Sequence, residues 1–249
     1  MITPRHLRNA PITEAIIDFR VKGTAGFKVE QFRGLTEALK SELPLVEERF
    51  SFEGGFSIEC GKSVKPFASE GELNGYWFKS SDALNIAQFR RDGFTFSRLK
   101  PYTSWEEVFP QAWKLWEAYR HTGAAEFVTR VAVRFINRLP IPASMMDLGA
   151  YLTAPPRAPE GISGEIASFL TRLVLNAQNQ GLTANITQAL ESRIDPKSLV
   201  IILDIDAYKQ LEELDTGDLS IPHIFESLHE LKNVIFFSSI TEETARLCQ

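Results

Sequence analysis

Hydrophobic and polar residues follow two spacings along the chain, one typical of strands and one of helices. Residues 12–22 alternate between apolar and polar side chains, which predicts a strand. Residues 104–121 carry a broad apolar stripe with helical spacing, and Ser104 with Glu107 forms a capping box at its start. The same criteria predict further strands at 49–60, 76–79, 85–91, 94–99, 127–139, 166–178, 182–193 and 199–208, and helices at 29–43, 145–152, 219–231 and 241–247.

The order of these elements repeats along the chain. Residues 12–122 and 126–231 each run strand, helix, about three strands, helix. Consecutive strands joined by short turns pair antiparallel, and helices can cover their apolar face. We therefore predict an α+β fold with two similar halves, 1–123 and 124–249, related by internal duplication and packed as one globular unit. The pattern predicts mainly antiparallel sheet covered by helices, and it leaves open whether the halves share one sheet.

Composition and charge narrow the class of partner. The chain has 249 residues, 44% of them hydrophobic, which is enough for a packed core without metal or disulfide support. The formal net charge is -5, so general attraction to nucleic acid or to an anionic membrane is not expected. A local basic patch can still exist on such a protein.

Three features predict a cytoplasmic protein with no membrane partner. The two cysteines, Cys60 and Cys248, are isolated in sequence and suit a reducing compartment. Residues 1–11 lack the apolar segment of a signal peptide. The longest apolar run, 199–203, is far too short to span a bilayer.

Arginines recur on one side of the strand predicted at 127–139. Arg130, Arg134 and Arg138 are four residues apart and therefore project to the same face, and Arg90 lies on the preceding hairpin. Guanidinium groups on a sheet face can bind phosphates, an acidic peptide or a nucleic-acid backbone. Alternatively, these arginines pair with carboxylates on adjacent strands.

Two aspartates at the end of an apolar strand form a second candidate site. Asp204 and Asp206 point to the same sheet face, and Asp18 on another strand can supply a third ligand. Paired carboxylates suit Mg²⁺ in phosphoryl-transfer enzymes. Alternatively, they mark the point where the strand meets solvent or a basic partner. No glycine-rich phosphate-binding loop accompanies them.

The remaining chemistry-bearing residues do not form a standard catalytic motif. The chain has no G-x-S-x-G, no G-x-G-x-x-G and no paired histidine ligands. Aromatic residues are prominent in the 104–121 helix, where they indicate core packing or, alternatively, a small-ligand pocket between this helix and the sheet. The sequence thus favours a binding protein over an enzyme and predicts no cofactor.

Three segments, 9–18, 131–142 and 228–241, together with 203–206, resemble a sporadically distributed family of uncharacterised bacterial proteins of about 250 residues. The resemblance extends over nearly the whole chain and brings no catalytic role with it. Patchy distribution implies an accessory gene, as in defence or toxin–antitoxin systems. The positions that carry the resemblance are Pro11, Glu14, Arg134, Asn137, Arg138, Asp204, Asp206, His229 and Phe236.

From these observations we expect an accessory protein that recognises a partner through the arginine-bearing sheet face. The partner would be another protein, with a nucleotide or nucleic acid as further possibilities, and a homodimer is compatible with the sequence. The alternative is a metal-dependent phosphoryl-transfer or nucleotide-processing enzyme that uses Asp204 and Asp206. The residues expected at the partner site are Arg130, Arg134, Arg138, Arg90 and Asn137.

Overall fold

The computed structural model describes residues 5, 7–52, 54–57, 65–68, 71–142, 147–161, 164, 166–177, 181–191 and 198–249. Cys60 and the start of the helix predicted at 145–152 lie outside these residues. The strands in chain order are β1 (Ile12–Gly23), β2 (Leu45–Ser51), β3 (Gly54–Ser57), β4 (Lys65–Ala68), β5 (Glu72–Lys79), β6 (Asn85–Arg90), β7 (Gly93–Leu99), β8 (Ala125–Pro142), β9 (Leu170–Ala177), β10 (Leu182–Leu190) and β11 (Ser198–Asp215).

Nine of these strands form one sheet in the order β2-β5-β6-β7-β1-β8-β11-β10-β9, and every neighbouring pair is antiparallel. Strands β3 and β4 form a separate pair. Strands β1 and β8 lie side by side at the centre, so residues from both predicted halves contribute to one sheet. The prediction of an α+β fold with a large antiparallel sheet is confirmed. The internal duplication and the covering of the sheet by helices stay predictions.

The helices are few and unequal in length. Ser104 begins the longest helix of the N-terminal part by accepting a hydrogen bond from the backbone N–H of Glu107 at 3.3 Å, as the capping box predicts. No helix among the residues that the structure describes is long and apolar enough to cross a membrane. The helices are α1 (Thr36–Leu39), α2 (Trp105–His121), α3 (Ile221–Ser239) and α4 (Glu242–Leu247), with 3₁₀ turns at Val29–Leu35 and Leu148–Ala150.

The two long helices contact the same face of the sheet. The ring of Phe19 on β1 stacks on Trp116 of α2, with centroids 4.1 Å apart, and meets Phe225 of α3 at 4.9 Å. Because side chains alternate along a strand, Asp18 and Arg20 point to the opposite face. The sheet therefore has an apolar face, here called the helix face, and a polar face.

Two predicted helix boundaries are wrong. The segment 29–43 forms a 3₁₀ helix and a single α turn instead of one long helix. Gly34 lowers helical propensity there, and the buried Val29 and Phe32 are three residues apart, which matches the 3₁₀ repeat. Helix α3 does not end at residue 231 but continues to Ser239, so the apolar run 234–237 belongs to this helix.

Candidate functional site

The predicted arginines lie on the polar face, where each meets carboxylates of its own chain. Arg130 donates to both carboxylate oxygens of Asp206 at 3.1 Å and to Asp18 at 3.3 Å. Arg134 donates to the two oxygens of Asp204 at 2.9 and 2.6 Å. These arginines therefore pair with carboxylates of the same chain, which is the alternative that the sequence left open.

The other two arginines are paired as well. Arg138 forms an ion pair with Glu191. Arg90 is buried and lies 3.0 Å from Asp92 and 3.5 Å from Asp18. Both long helices pack on the other face, and Arg134 and Arg138 keep 46% and 42% of their side-chain surface exposed. The polar face thus combines internal ion pairs with open access to its outer arginines.

The carboxylates considered for Mg²⁺ are engaged by these same arginines. Asp18 and Asp206 share Arg130, and Asp204 is held by Arg134. In the described part of the chain, no cluster of three or more His, Cys, Asp or Glu side chains is arranged to hold a metal ion. A metal at this pair would have to displace two guanidinium groups. The metal-dependent activity stays a prediction.

Asn137 does not join the arginines. It lies one position from Arg138 and therefore points to the helix face, where it is buried. Its amide group donates to the backbone carbonyls of Leu203 at 2.9 Å and Phe135 at 3.3 Å. These two acceptors fix the orientation of the carboxamide. Its Oδ1 accepts no hydrogen bond from the described residues, and the side chain lines a pocket.

This pocket has a volume of about 290 Å³. It lies between the start of β1, the loop into α2, the middle of β8 and the second half of α3. Aromatic and other apolar side chains alternate in its wall with a few polar groups. The lining residues are Arg5, Leu7, Ala10, Pro11, Ile12, Tyr102, Thr103, Ser104, Trp105, Glu106, Asn137, His229, Lys232, Asn233, Phe236 and Phe237.

Lys232 is the unusual residue of the pocket. Its side chain is buried, with the residue only 6% exposed. The amine Nζ donates to Asn233 Oδ1 at 2.6 Å and lies 3.8 Å from the centroid of the Phe135 ring. None of the ion pairs in the described residues involves Lys232, although Glu106 also lines the pocket. Burial lowers the pKa of Lys232 to about 7.

Two titratable side chains near Lys232, those of His229 and Tyr102, carry no negative charge. His229 stacks on Trp105 with ring centroids 4.3 Å apart. Burial, and then the charge of Lys232, lower the pKa of His229 to about 3, so its imidazole is neutral at physiological pH. Burial raises the pKa of Tyr102, which keeps its phenol protonated, and its ring meets Phe135 edge-on at 5.5 Å.

The sequence contains a signal for Lys232 that depends on the true length of α3. Buried positions on this helix include Leu228, Ile235 and Phe236, which lie four before, three after and four after the lysine. A lysine inside such a stripe must point toward the core. The helix predicted at 219–231 ends one residue before Lys232, so the predicted stripe does not include this lysine.

The pocket brings together three of the segments that carry the family resemblance. Pro11 comes from the first, Asn137 from the second, and His229 and Phe236 from the third. The sequence matches no family model, and no curated protein is significantly similar to it. Membership of the bacterial family therefore stays an expectation.

Proposed function

We propose that the protein binds a small molecule in this pocket and that the ligand carries an anionic group, a carboxylate or a phosphate, which pairs with Lys232. The observation that carries the proposal is a buried primary amine that lacks a carboxylate partner among the described residues. Lysine is almost never fully buried without a partner. A ligand anion would complete the site.

Binding of an anion in the pocket is expected to change the protonation of Lys232. Removing an ammonium from water disfavours its charged form, and this is why burial lowers the pKa of Lys232 to about 7. An anion within about 4–6 Å favours the charged form and raises such a pKa again. Ligand binding near neutral pH is therefore expected to be accompanied by proton uptake at Lys232.

The walls of the pocket suit the rest of such a ligand. Trp105, Phe236 and Phe237 supply apolar surface, and Asn137 and Asn233 supply amide groups. Small-molecule sites combine mostly apolar walls with a few placed polar groups and have volumes of about 300–1,000 Å³. A pocket of about 290 Å³ fits a ligand at the small end of this range.

Thermal unfolding with acetate or inorganic phosphate tests the proposal. We expect either anion to raise the Tm of the unsubstituted protein, since a ligand that binds only the folded state stabilises it. Lys232→Met should lose this response. The matched control is Lys40→Met, because Lys40 is exposed and pairs with Glu37 on a surface helix. An equal response in Lys232→Met, or none in the unsubstituted protein, contradicts the proposal.

Recognition of a macromolecular partner by the polar face is a second candidate function. Its support is the exposure of Arg134 and Arg138, which an acidic protein could reach by displacing Asp204 and Glu191. This role would suit an accessory protein of a defence or toxin–antitoxin system. The test is to measure partner recovery with the Arg134→Ala and Arg138→Ala variants and to check their folding by circular dichroism. If both variants fold and recover the partner as well as the unsubstituted protein does, this function is contradicted.

A further inference from the structure

Resting on the proposed function, we infer that the ligand is a 2-oxo acid and that Lys232 Nζ attacks its keto carbon to form an imine. Imine formation goes beyond anion binding because it requires a covalent step at the amine. Three features support the imine: the position of Nζ, the absence of an ion pair that would keep the amine protonated, and the need for a negative charge beside the imine.

The amine is placed as a nucleophile rather than as a surface cation. Nζ is held by Asn233 Oδ1 on one side and covered by the Phe135 ring on another. By contrast, Lys22 is tied to Glu213 and Lys79 to Glu47. The pKa of about 7 agrees with this geometry, since much of the Lys232 amine carries a lone pair at neutral pH.

The covalent step balances without an oxidant or a reductant. The nitrogen lone pair forms a bond to the keto carbon, the carbonyl π bond breaks, and a proton passes from the nitrogen to the oxygen to give a neutral carbinolamine. The hydroxyl then takes up one further proton and leaves as water, and the nitrogen lone pair forms the carbon–nitrogen double bond. Overall, one neutral amine, one 2-oxo acid and one proton give one protonated imine and one water molecule.

The need for a counterion favours a 2-oxo acid over a simple aldehyde. The protonated imine keeps a positive charge on the Lys232 nitrogen, with which no described carboxylate forms an ion pair, Glu106 of the pocket lining included. A 2-oxo acid brings a carboxylate on the carbon next to the imine. The product is then a buried ion pair, whereas the imine of an aldehyde lacks this anion, and burial would favour loss of its proton.

Tyr102 is the pocket residue that we assign to protonate the departing hydroxyl. Its ring and the Lys232 amine both contact Phe135. Tyr102 lines the pocket, and burial keeps its phenol protonated by raising its pKa. A protonated phenol beside the carbinolamine can donate a proton to the departing hydroxyl.

Reductive trapping with pyruvate tests the inference on the unsubstituted protein. The protein is incubated with pyruvate at pH 7, reduced with borohydride and mapped by peptide mass spectrometry. At pH 7 the neutral fraction of an ordinary lysine is on the order of a thousandth, so we expect at least about tenfold more adduct on Lys232 than on other lysines. Lactate, which has no keto group, is the matched ligand control and should give no adduct.

The outcomes separate this inference from the proposed function. A pyruvate adduct concentrated on Lys232 supports both. If pyruvate and lactate each raise the Tm in a Lys232-dependent manner but no adduct forms, anion binding stands and the imine is overturned. Adducts spread over surface lysines also overturn it. If neither ligand changes the Tm and no adduct forms, the imine and the binding of carboxylates both fail, and binding of an anion stands only if phosphate raises the Tm in a Lys232-dependent manner.

Discussion

Lys232 lies on the buried side of α3 with a pKa of about 7, whereas an unfolded lysine has a pKa of about 10.4. Between these values the unfolded chain binds a proton that the folded chain has released. Stability therefore rises with pH across this window and carries the full penalty of the buried ammonium below it. The residue is retained at a cost to stability, as expected of a group placed for binding or chemistry.

Lys232→Met should raise the free energy of unfolding by about 1–4 kcal/mol at pH 6, because an apolar side chain of similar length replaces a buried ion. The rise in stability between pH 7 and 10 should become shallower at the same time. Urea unfolding at several pH values measures both effects. Lys40→Met should keep the original pH dependence. A variant as pH-dependent as the unsubstituted protein would contradict the assignment of the low pKa to Lys232.

Strands β1, β8 and β11 act together on the polar face, because Arg130 bridges Asp18 and Asp206 from its two neighbours. The Arg130 guanidinium also lies 4.4 Å from the centroid of the Tyr208 ring. Its two carboxylate partners are largely buried. Removal of the arginine leaves Asp206 without an ion pair among the described residues in a place that water reaches poorly, and an unpaired buried charge is costly.

Arg130→Met should destabilise the protein by about 1–3 kcal/mol at pH 7, since Asp206 loses its ion-pair partner among the described residues while Asp18 keeps Arg20 and Arg90. Arg134→Met should cost less, because Arg134 is nearly half exposed and serves only Asp204. Addition of Asp206→Asn to Arg130→Met should restore part of the loss. Urea unfolding at pH 7 measures all three variants. A larger loss for Arg134→Met would argue against this view of the polar face.

Local spacing predicts the strands and the face of each arginine, because both follow from a two-residue repeat. It does not predict the partners, since Arg130 is 112 residues from Asp18 and 76 from Asp206. Those contacts depend on the register of β8 against β1 and β11, which long-range packing sets. The sequence predicts a small-ligand pocket beside the 104–121 helix as an alternative, but not its walls on β1, β8 and α3, because these segments are distant in sequence and the last needs the full length of α3.

At the scale of the whole molecule, the sheet ends on β9 among the described strands, and this edge is apolar. Four large hydrophobic side chains on β9, Leu170, Leu173, Val174 and Leu175, are between 48% and 73% exposed. An exposed apolar edge strand presents unpaired backbone groups to other chains and promotes association. The possibility of a homodimer raised by the sequence thus has a definite place on the fold to be tested.

Val174→Lys should reduce concentration-dependent association, because a lysine on an edge strand opposes pairing with another edge. The control is Leu219→Lys, since Leu219 is exposed but lies outside the sheet. Sedimentation velocity over a range of concentrations measures the effect. Equal association of both variants and the unsubstituted protein would exclude β9 as the contact.

The central position of β1 has a consequence for synthesis of the chain. Its partner on one side, β7, is complete by residue 99, but β8 begins only at Ala125, and contacts such as Thr13 to Ile136 span 123 residues. During translation, the edge of β1 that pairs with β8 therefore lacks its hydrogen-bond partner until α2 and β8 have been synthesised. If translation pauses in that interval, the unpaired edge of β1 can associate with other nascent chains on the same messenger RNA.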